Sequence, residues 1–254
     1  MTPSKTPDIT LYTDQTPNGV KISIALEELG LPYKLHHVDI SKNTQKEPWF
    51  LDINPNGRIP AITDTFTDGS LIRVFESGSI LQYLVEQYDA DHKISYPKGS
   101  RESYEVNNWL FFQNAGLGPM QGQANHFMRY SPQKIQYGMD RYVNETRRLY
   151  KVLDAHLSKS EGGYLVGEKC TIADISTIGW VHWAGWAGVD IEEFPMLREW
   201  EERMMNRPGV KKGNDVPHPS KIVEILADPE RLEEYAKMHT KWIQQGMKED
   251  KGGK

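Results

Sequence analysis

Three short stretches in the first eighty residues carry side chains suited to holding a small charged ligand. Glu76-Ser77-Gly78 follows the apolar run Leu71–Phe75 and opens a helical pattern. A serine at a helix start offers a hydroxyl, and the free backbone N–H groups behind it favour a carboxylate. The acid beside it suits an ammonium, so the pair matches the head of a free amino acid; plain capping by Ser77 is the alternative. Asp14-Gln15-Thr16-Pro17-Asn18-Gly19 lies between a strand pattern and a helix pattern. A helix N-terminus carries about half a positive charge, and Thr16 and Asn18 are short polar groups able to donate to a bound thiolate or carboxylate. Asn18 as a simple cap is the other reading. Arg58-Ile59-Pro60-Ala61 puts a proline inside a strand pattern, where it removes a ladder donor. A cis Ile59–Pro60 bond would turn the Ile59 backbone out to pair with an extended peptide; a trans proline on an edge strand is the alternative.

Other chemistry-bearing residues read as structural. His36 and His37 are adjacent on a strand pattern and face opposite ways, so they do not chelate one metal. Trp180, Trp183 and Trp186 recur every third residue among Gly179, Ala184 and Gly185, which suits core packing or the wall of an apolar pocket. The single cysteine, Cys170, excludes an internal disulfide, a Cys-x-x-Cys pair and a thiolate metal cage. Its apolar surroundings favour a buried, inert thiol. No Ser-His-Asp set, His-Glu-x-x-His motif or phosphate-binding glycine loop occurs in the sequence.

The elements that would position these residues fall into two halves. Strand patterns at Ile9–Thr13, Tyr33–Ile40, Ile59–Thr63 and Leu71–Phe75 alternate with helical ones at Val20–Leu29, 44–52 and Ser77–Tyr88. The order β-α-β-α-β-β-α is a small mixed sheet covered by helices. A polar linker, 89–99, separates this first domain, 1–88, from an all-helical second domain, 100–254. Ser100–Phe127 reads as one long helical stretch bent at Gly116-Leu117-Gly118-Pro119. Ser131-Pro132 has the form of a cap and first-turn proline for the next helix. Thr171-Ile172-Ala173-Asp174 has capping-box spacing, helices are expected at 195–206 and 218–247, and the charged tail Lys248–Lys254 reads as frayed.

Composition narrows the class. Thirty Lys and Arg against 35 Asp and Glu leave a net charge of −5, which argues against a nucleic-acid partner. No apolar run is long enough for a membrane span, and the first residues have no secretory core. A cytoplasmic protein without a membrane or nucleic-acid partner is expected.

The combination resembles the glutathione transferase superfamily, with a thioredoxin-like βαβαββα domain followed by a helical bundle. Ile59-Pro60, Glu76-Ser77 and Thr171–Asp174 carry the resemblance. Thr16–Gly19, Asn54–Ala61, Phe75–Gly78, Trp109–Gln113, Gly118–Gln123 and Arg147–Tyr150 narrow it to the branch of the bacterial nu-class disulfide-bond oxidoreductases and the yeast prion-forming nitrogen regulator. It runs from about residue 8 to 212 and leaves the last forty or so residues unexplained. The resemblance implies that Glu76 and Ser77 grip the γ-glutamyl head of glutathione and that the Ile59 backbone, beside Pro60, pairs with its cysteinyl unit. Gln45 and Arg58 would meet the glycyl end, Arg141 would reach in from the helical domain, and Asn18, with Thr16, would face the sulfur. Where many relatives place Tyr, Ser or Cys at the sulfur, this chain has Thr16-Pro17-Asn18.

The activated thiolate would attack an electrophilic carbon held against Phe112, Met120, Phe127 and the tryptophan stripe, or the sulfur of a disulfide, or a peroxide. Reduced glutathione is the implied co-substrate, with the oxidised form or two molecules per site for the second chemistry, and no metal. The resemblance also implies a homodimer, with Tyr104, Trp109 and Phe112 as candidate contacts. A non-catalytic binding or regulatory protein on the same fold is the alternative.

Overall fold

The computed structural model describes residues 6–252. Strands β1 (Ile9–Thr13), β2 (Tyr33–His37), β3 (Ala61–Thr65) and β4 (Leu71–Phe75) form one sheet in the order β2-β1-β3-β4. β1 runs parallel to β2, with Ile9 opposite Tyr33, and β3 is antiparallel to both β1 and β4. β1 alternates as a half-buried strand should, with Ile9, Leu11 and Thr13 inward. Helix α1 (Gly19–Leu29) makes the crossover between the parallel strands. Val20, Ile22, Ile24, Ala25 and Leu26 on it are at most 1% exposed, because the sheet covers one side of α1 and the helical domain the other. Gly30 ends α1 at φ 68°, a left-handed position that suits glycine. The short α2 (Pro48–Leu51) and α3 (Ser77–Tyr88) complete the βαβαββα order.

β3 begins at Ala61, two residues later than the apolar pattern suggests. Pro60 has no N–H to give the ladder, and the Ile59–Pro60 bond is cis, as one of the two sequence readings has it.

The second domain is helical. α4 (Arg101–Phe111) is capped by Ser100, whose Oγ accepts the Ser103 N–H at 3.1 Å. It continues through a π-helical turn, Phe112–Leu117, into α5 (Gly118–Asn125) and a second π-helical turn, His126–Tyr130. The expected bend before Pro119 is thus taken up by a wide turn that leaves out the ladder bond proline cannot make. α6 (Gln136–Leu157) starts four residues beyond Pro132, so Ser131-Pro132 is not its cap; Ser131 Oγ instead donates to the Gln133 carbonyl at 2.6 Å.

α7 (Ile172–His182) is the buried axis of this domain, and no residue from Ile172 to Val181 is exposed. Its capping box is present as read. Asp174 accepts hydrogen bonds from Thr171 N, Thr171 Oγ1, Leu165 N and Trp200 Nε1 at 2.9–3.1 Å. α8 (Pro195–Met205) and α9 (Pro208–Asn214) follow, and α9 locks the domains together. Gly213 lies so close to α1 that a Cβ would stand 2.4 Å from the Ile24 backbone, and Ser23 Oγ donates to the Gly213 carbonyl at 2.6 Å.

The helix expected over 218–247 is two. α10 (Ile222–Ala227) stops at Asp228, whose carboxylate accepts the Glu230 N–H at 2.9 Å and starts α11 (Pro229–Gly252). Of the tail that reads as frayed, the backbone to Gly252 continues α11; residues 253–254 lie outside the described residues. α10 and α11 have a small core of their own, in which Ile222 and Ile225 pack on Trp183 and Trp186. No helix among the described residues is long and apolar enough to cross a membrane.

Candidate functional site

The loop from β1 to α1 is held by Asp14, whose carboxylate accepts the N–H groups of Gln15 at 2.8 Å and Ile40 at 3.2 Å. Thr16 Oγ1 accepts the Gly19 N–H at 3.0 Å, so the threonine does the capping that one reading gave to Asn18. Asn18 makes no cap bond; its Oδ1 accepts the indole N–H of Trp180 at 3.0 Å. An indole nitrogen only donates, so the Asn18 carbonyl must face Trp180 and its NH2 must face away. The amide is thereby oriented as a donor.

At the start of α3, Glu76 occupies the cap position at φ 68°, and Ser77 is the first helical residue rather than the cap. Asn56 Nδ2 donates to Glu76 Oε1 at 3.3 Å, and Asn54 Nδ2 donates to the Arg58 carbonyl at 2.6 Å. The Asn54–Arg58 turn therefore sets both Glu76 and the chain entering Ile59. Gly78 permits the close approach of the first π-helical turn, because a Cβ there would lie 1.9 Å from Asn114 Nδ2.

Beneath Ser77 lies Lys21, 1% exposed, which donates to Ser77 Oγ at 3.1 Å and to Gln113 Oε1 at 2.6 Å. Burial pulls its ammonium down to about 7, against the opposing pull of the Glu76 carboxylate. With Lys21 as its donor, Ser77 keeps its own proton for a partner above. Sequence reading missed Lys21, although a lysine inside the apolar run Gly19-Val-Lys-Ile-Ser-Ile-Ala-Leu26 was a visible signal.

These residues border one pocket of about 400 Å³. Thr16, Asn18, Gln45, Arg58, Ile59, Pro60, Glu76 and Ser77 all line it, joined by Trp180 and by Trp242 from α11. Gln45 is 7% exposed, and its Oε1 is buried without a hydrogen-bond partner among the described residues. An orphaned buried acceptor is costly, and a donor brought to it would relieve that cost. The cationic Arg58, the fixed amide of Asn18 and the Glu76–Ser77 pair form a cradle for an elongated zwitterion carrying a second anionic end.

Four sequence candidates are not brought to this pocket. Arg141 sits on α6, half exposed, 3.8 Å from Glu145 and against the Tyr142 ring. Phe112 packs on Trp109 with ring centroids 5.3 Å apart, and Met120 packs against the main core. Phe127 stacks on Tyr142 at 5.4 Å and 14°. The π-helical turns reset the helical register from Phe112 onward, which a straight-helix reading cannot follow. Trp180, Trp183 and Trp186 are buried in the core and also border a second chamber of about 690 Å³ that adjoins the pocket, so both the core and the wall readings hold. Trp109 likewise turns inward, against Phe112 and His156, which leaves only Tyr104 of the candidate contacts exposed.

Cys170 is 1% exposed and burial pushes its thiol well up, so the protein offers no reactive thiolate of its own. No cluster of three or more potential metal ligands occurs among the described residues.

Residues 17–87 match the glutathione S-transferase N-terminal domain and residues 104–208 the glutathione S-transferase C-terminal domain. The chain is 43% identical over 202 residues to the disulfide-bond oxidoreductase YfcG of Escherichia coli, covering 79% of this chain and 91% of that protein. A glutathione transferase homologue from Lodderomyces elongisporus, solved with two glutathiones per subunit, superposes with a TM-score of 0.79 at 45% identity, over 83% of this chain and 99% of that one. The glutathione transferase URE2P6 from Phanerochaete chrysosporium, in complex with oxidized glutathione, gives 0.76 at 42% identity, over 81% and 94%. Matched by both domains and by relatives along nearly their whole length, the chain belongs to the glutathione S-transferase family.

Proposed function

We propose that this protein binds glutathione in the 400 Å³ pocket and makes its thiol acidic, either to conjugate it to electrophiles or to reduce disulfides or peroxides with it. The observation that carries the reading is the Trp180–Asn18 hydrogen bond, 3.0 Å long, which turns the Asn18 NH2 away from Trp180 in a pocket that the cis Pro60 also lines. Glu76 and Ser77 take the ammonium and carboxylate of the γ-glutamyl head, the Ile59 backbone takes the cysteinyl unit, and Gln45 and Arg58 take the glycyl end. Asn18, supported by Thr16 and the N-terminus of α1, faces the sulfur. Arg141 has no part in this reading.

The energetics suffice. A thiol of pKa near 8.5 brought to about 6.5 requires roughly 2.7 kcal/mol in favour of the anion. One charge-assisted hydrogen bond supplies about 1.5–3 kcal/mol and a helix N-terminus about 0.3–1 kcal/mol. No protein thiol is needed, so a neutral amide is enough. The likeness to an oxidoreductase and to a relative that holds oxidized glutathione favours the disulfide branch. Parallel assays with a chloronitrobenzene and with hydroxyethyl disulfide separate the two chemistries, and glutathione binding with neither turnover would leave a binding protein.

Asn18→Ala is expected to raise the bound thiol's pKa by about one to two pH units, since it removes one charge-assisted bond. Ultraviolet titration of the thiolate reads this directly; an unchanged pKa would remove Asn18 from the mechanism.

We also propose a homodimer as the working unit. Tyr104 and Phe111, 64% and 62% exposed, stand two turns apart on one face of α4. Light scattering should give the mass of two subunits, and the mass of one would refute it.

A further inference from the structure

Lys21 is a cation enclosed by protein without a counter-ion. It is fully buried on α1, and its Nζ bridges the two domains, donating to Ser77 Oγ of α3 at 3.1 Å and to Gln113 Oε1 of the first π-helical turn at 2.6 Å. Both acceptors are neutral, and Lys21 makes no ion pair among the described residues. A buried ammonium in such a place is disfavoured until an anion joins it. Burial accordingly brings it down to about 7, so amine and ammonium coexist near neutral pH. A methionine would fill the same space without that cost, and the position points to a task for the charge.

The charge that acts on Lys21 is the Glu76 carboxylate at the cap of α3, which favours the ammonium. The other ionisable groups on the packed elements are turned elsewhere. Tyr83 and Tyr88 of α3 bond to Asp64, and Glu86 pairs with Lys98. On α7, Asp174 serves its capping box and His182 pairs with Glu201. Glu27 and Glu28 of α1 itself pair with Lys212 and Arg207, Lys211 of α9 is exposed, and Tyr12 of β1 lies against His36. The π-helical turn Phe112–Leu117 contributes no ionisable side chain.

What Lys21 lacks is an anion above Ser77. The Ser77 hydroxyl has Lys21 beneath it and the 400 Å³ pocket in front. A carboxylate that accepts the Ser77 O–H is two hydrogen bonds from Nζ, about 5 Å away.

We propose that Lys21 is a positioning residue charged by the ligand itself: the carboxylate of the γ-glutamyl head, held at Ser77, is its counter-ion, and the site takes a proton from solution onto Lys21 Nζ as that carboxylate arrives. The ammonium then holds Ser77 Oγ as an acceptor, which leaves the serine proton to the carboxylate. The proposal rests on the reading of Glu76 and Ser77 as the cradle of the γ-glutamyl head. By linkage, a proton taken up on binding means binding that weakens as pH rises through the titration of the free protein.

Calorimetry of S-methylglutathione, which has no thiol proton to release, tests this on the full chain. Titrations at pH 7.5 in buffers of different ionisation enthalpy count the protons exchanged. No histidine lines the pocket, and His239, bonded to Trp242 on the appended helix α11 beyond the family match, is kept neutral at that pH by burial. An opposite charge within about 4–6 Å moves a titration by about 1–3 pH units. Uptake of about 0.5–0.8 proton per site is therefore expected, with affinity falling about 4–8-fold between pH 6.5 and 8.0. In Lys21→Met the uptake should vanish and the pH dependence flatten to within about twofold. Gln113→Glu gives Lys21 a resident counter-ion outside the glutathione pocket and leaves Ser77 in place. Uptake should vanish there too, which a merely structural role for Lys21 does not predict, and this variant decides the matter should Lys21→Met fail to fold. Binding by the unmodified protein with less than about 0.1 proton taken up, or unchanged uptake in either variant, overturns the role of Lys21 and leaves the glutathione site standing. Failure of S-methylglutathione to bind the unmodified protein overturns the glutathione site itself, and the proposal with it.

Discussion

Replacing Glu76 with glutamine should weaken glutathione binding by about 100-fold, measured by calorimetry. The carboxylate is the anionic side chain lining that end of the pocket, and a ligand ammonium placed there without it would be desolvated and unpaired. Removing one partner of such a charge pair typically costs about 2–5 kcal/mol, and every 1.4 kcal/mol is a factor of about ten. The variant also withdraws the charge that favours the protonated form of Lys21 under Ser77, which loosens the carboxylate end of the same cradle. Glutamine keeps the length of the side chain and an acceptor for Asn56, now 3.3 Å from Glu76 Oε1, so a merely structural role for Glu76 predicts little change. Binding within threefold of the unmodified protein would show that the amino-acid head is not held at this point.

Asp174→Ala should lower the stability of the protein by roughly 3–5 kcal/mol, which for a chain of this size lowers the melting temperature by about 10 °C. The side chain is completely buried, and four donors from Thr171, Leu165 and Trp200 converge on it. Burial pushes its carboxyl up, while those donors pull the other way and leave it useful as an acceptor. Alanine leaves four buried donors without a partner, which costs more than the loss of the bonds alone. Asp174→Asn should be milder, since its carbonyl can still serve Leu165 and Trp200 while its NH2 opposes the donors of Thr171. A thermal or denaturant melt within 1 kcal/mol of the unmodified protein for alanine would contradict this. Asp174 also anchors the start of the helix that carries Trp180 to Asn18, so a loosened α7 is expected to disturb the pocket as well as the core.

Much of this architecture is visible in the sequence because local chemistry and tertiary structure agree. The strand pattern Ile9–Thr13, the left-handed Gly30 and the Thr171–Asp174 box each state a local preference that the fold keeps. The residues expected around the ligand in the first domain converge because they lie at strand ends and helix starts, whose places the sheet topology dictates. The differences are non-local. Phe112, Met120 and Phe127, expected to hold an electrophile, border neither chamber, and they lie along a stretch in which two π-helical turns break the even helical period. Ser77 had the composition of a cap, but Glu76 takes the cap position at positive φ, so the serine hydroxyl is turned to Lys21. The path of α11 has no local signature at all; the polar bonds of Thr240 and Gln244 that hold it across the cleft are to carbonyls more than a hundred residues away.

The placement of the indoles has a practical consequence. Of the seven tryptophans in the chain, Trp180, Trp183, Trp186 and Trp242 border the two connected chambers. Trp180 is bonded to the Asn18 amide and Trp242 to His239 on the appended helix. On the proposed reading, ligand arrival would alter the polarity around more than half of the intrinsic fluorophores, and the emission spectrum of the unlabelled protein would serve as its own occupancy gauge.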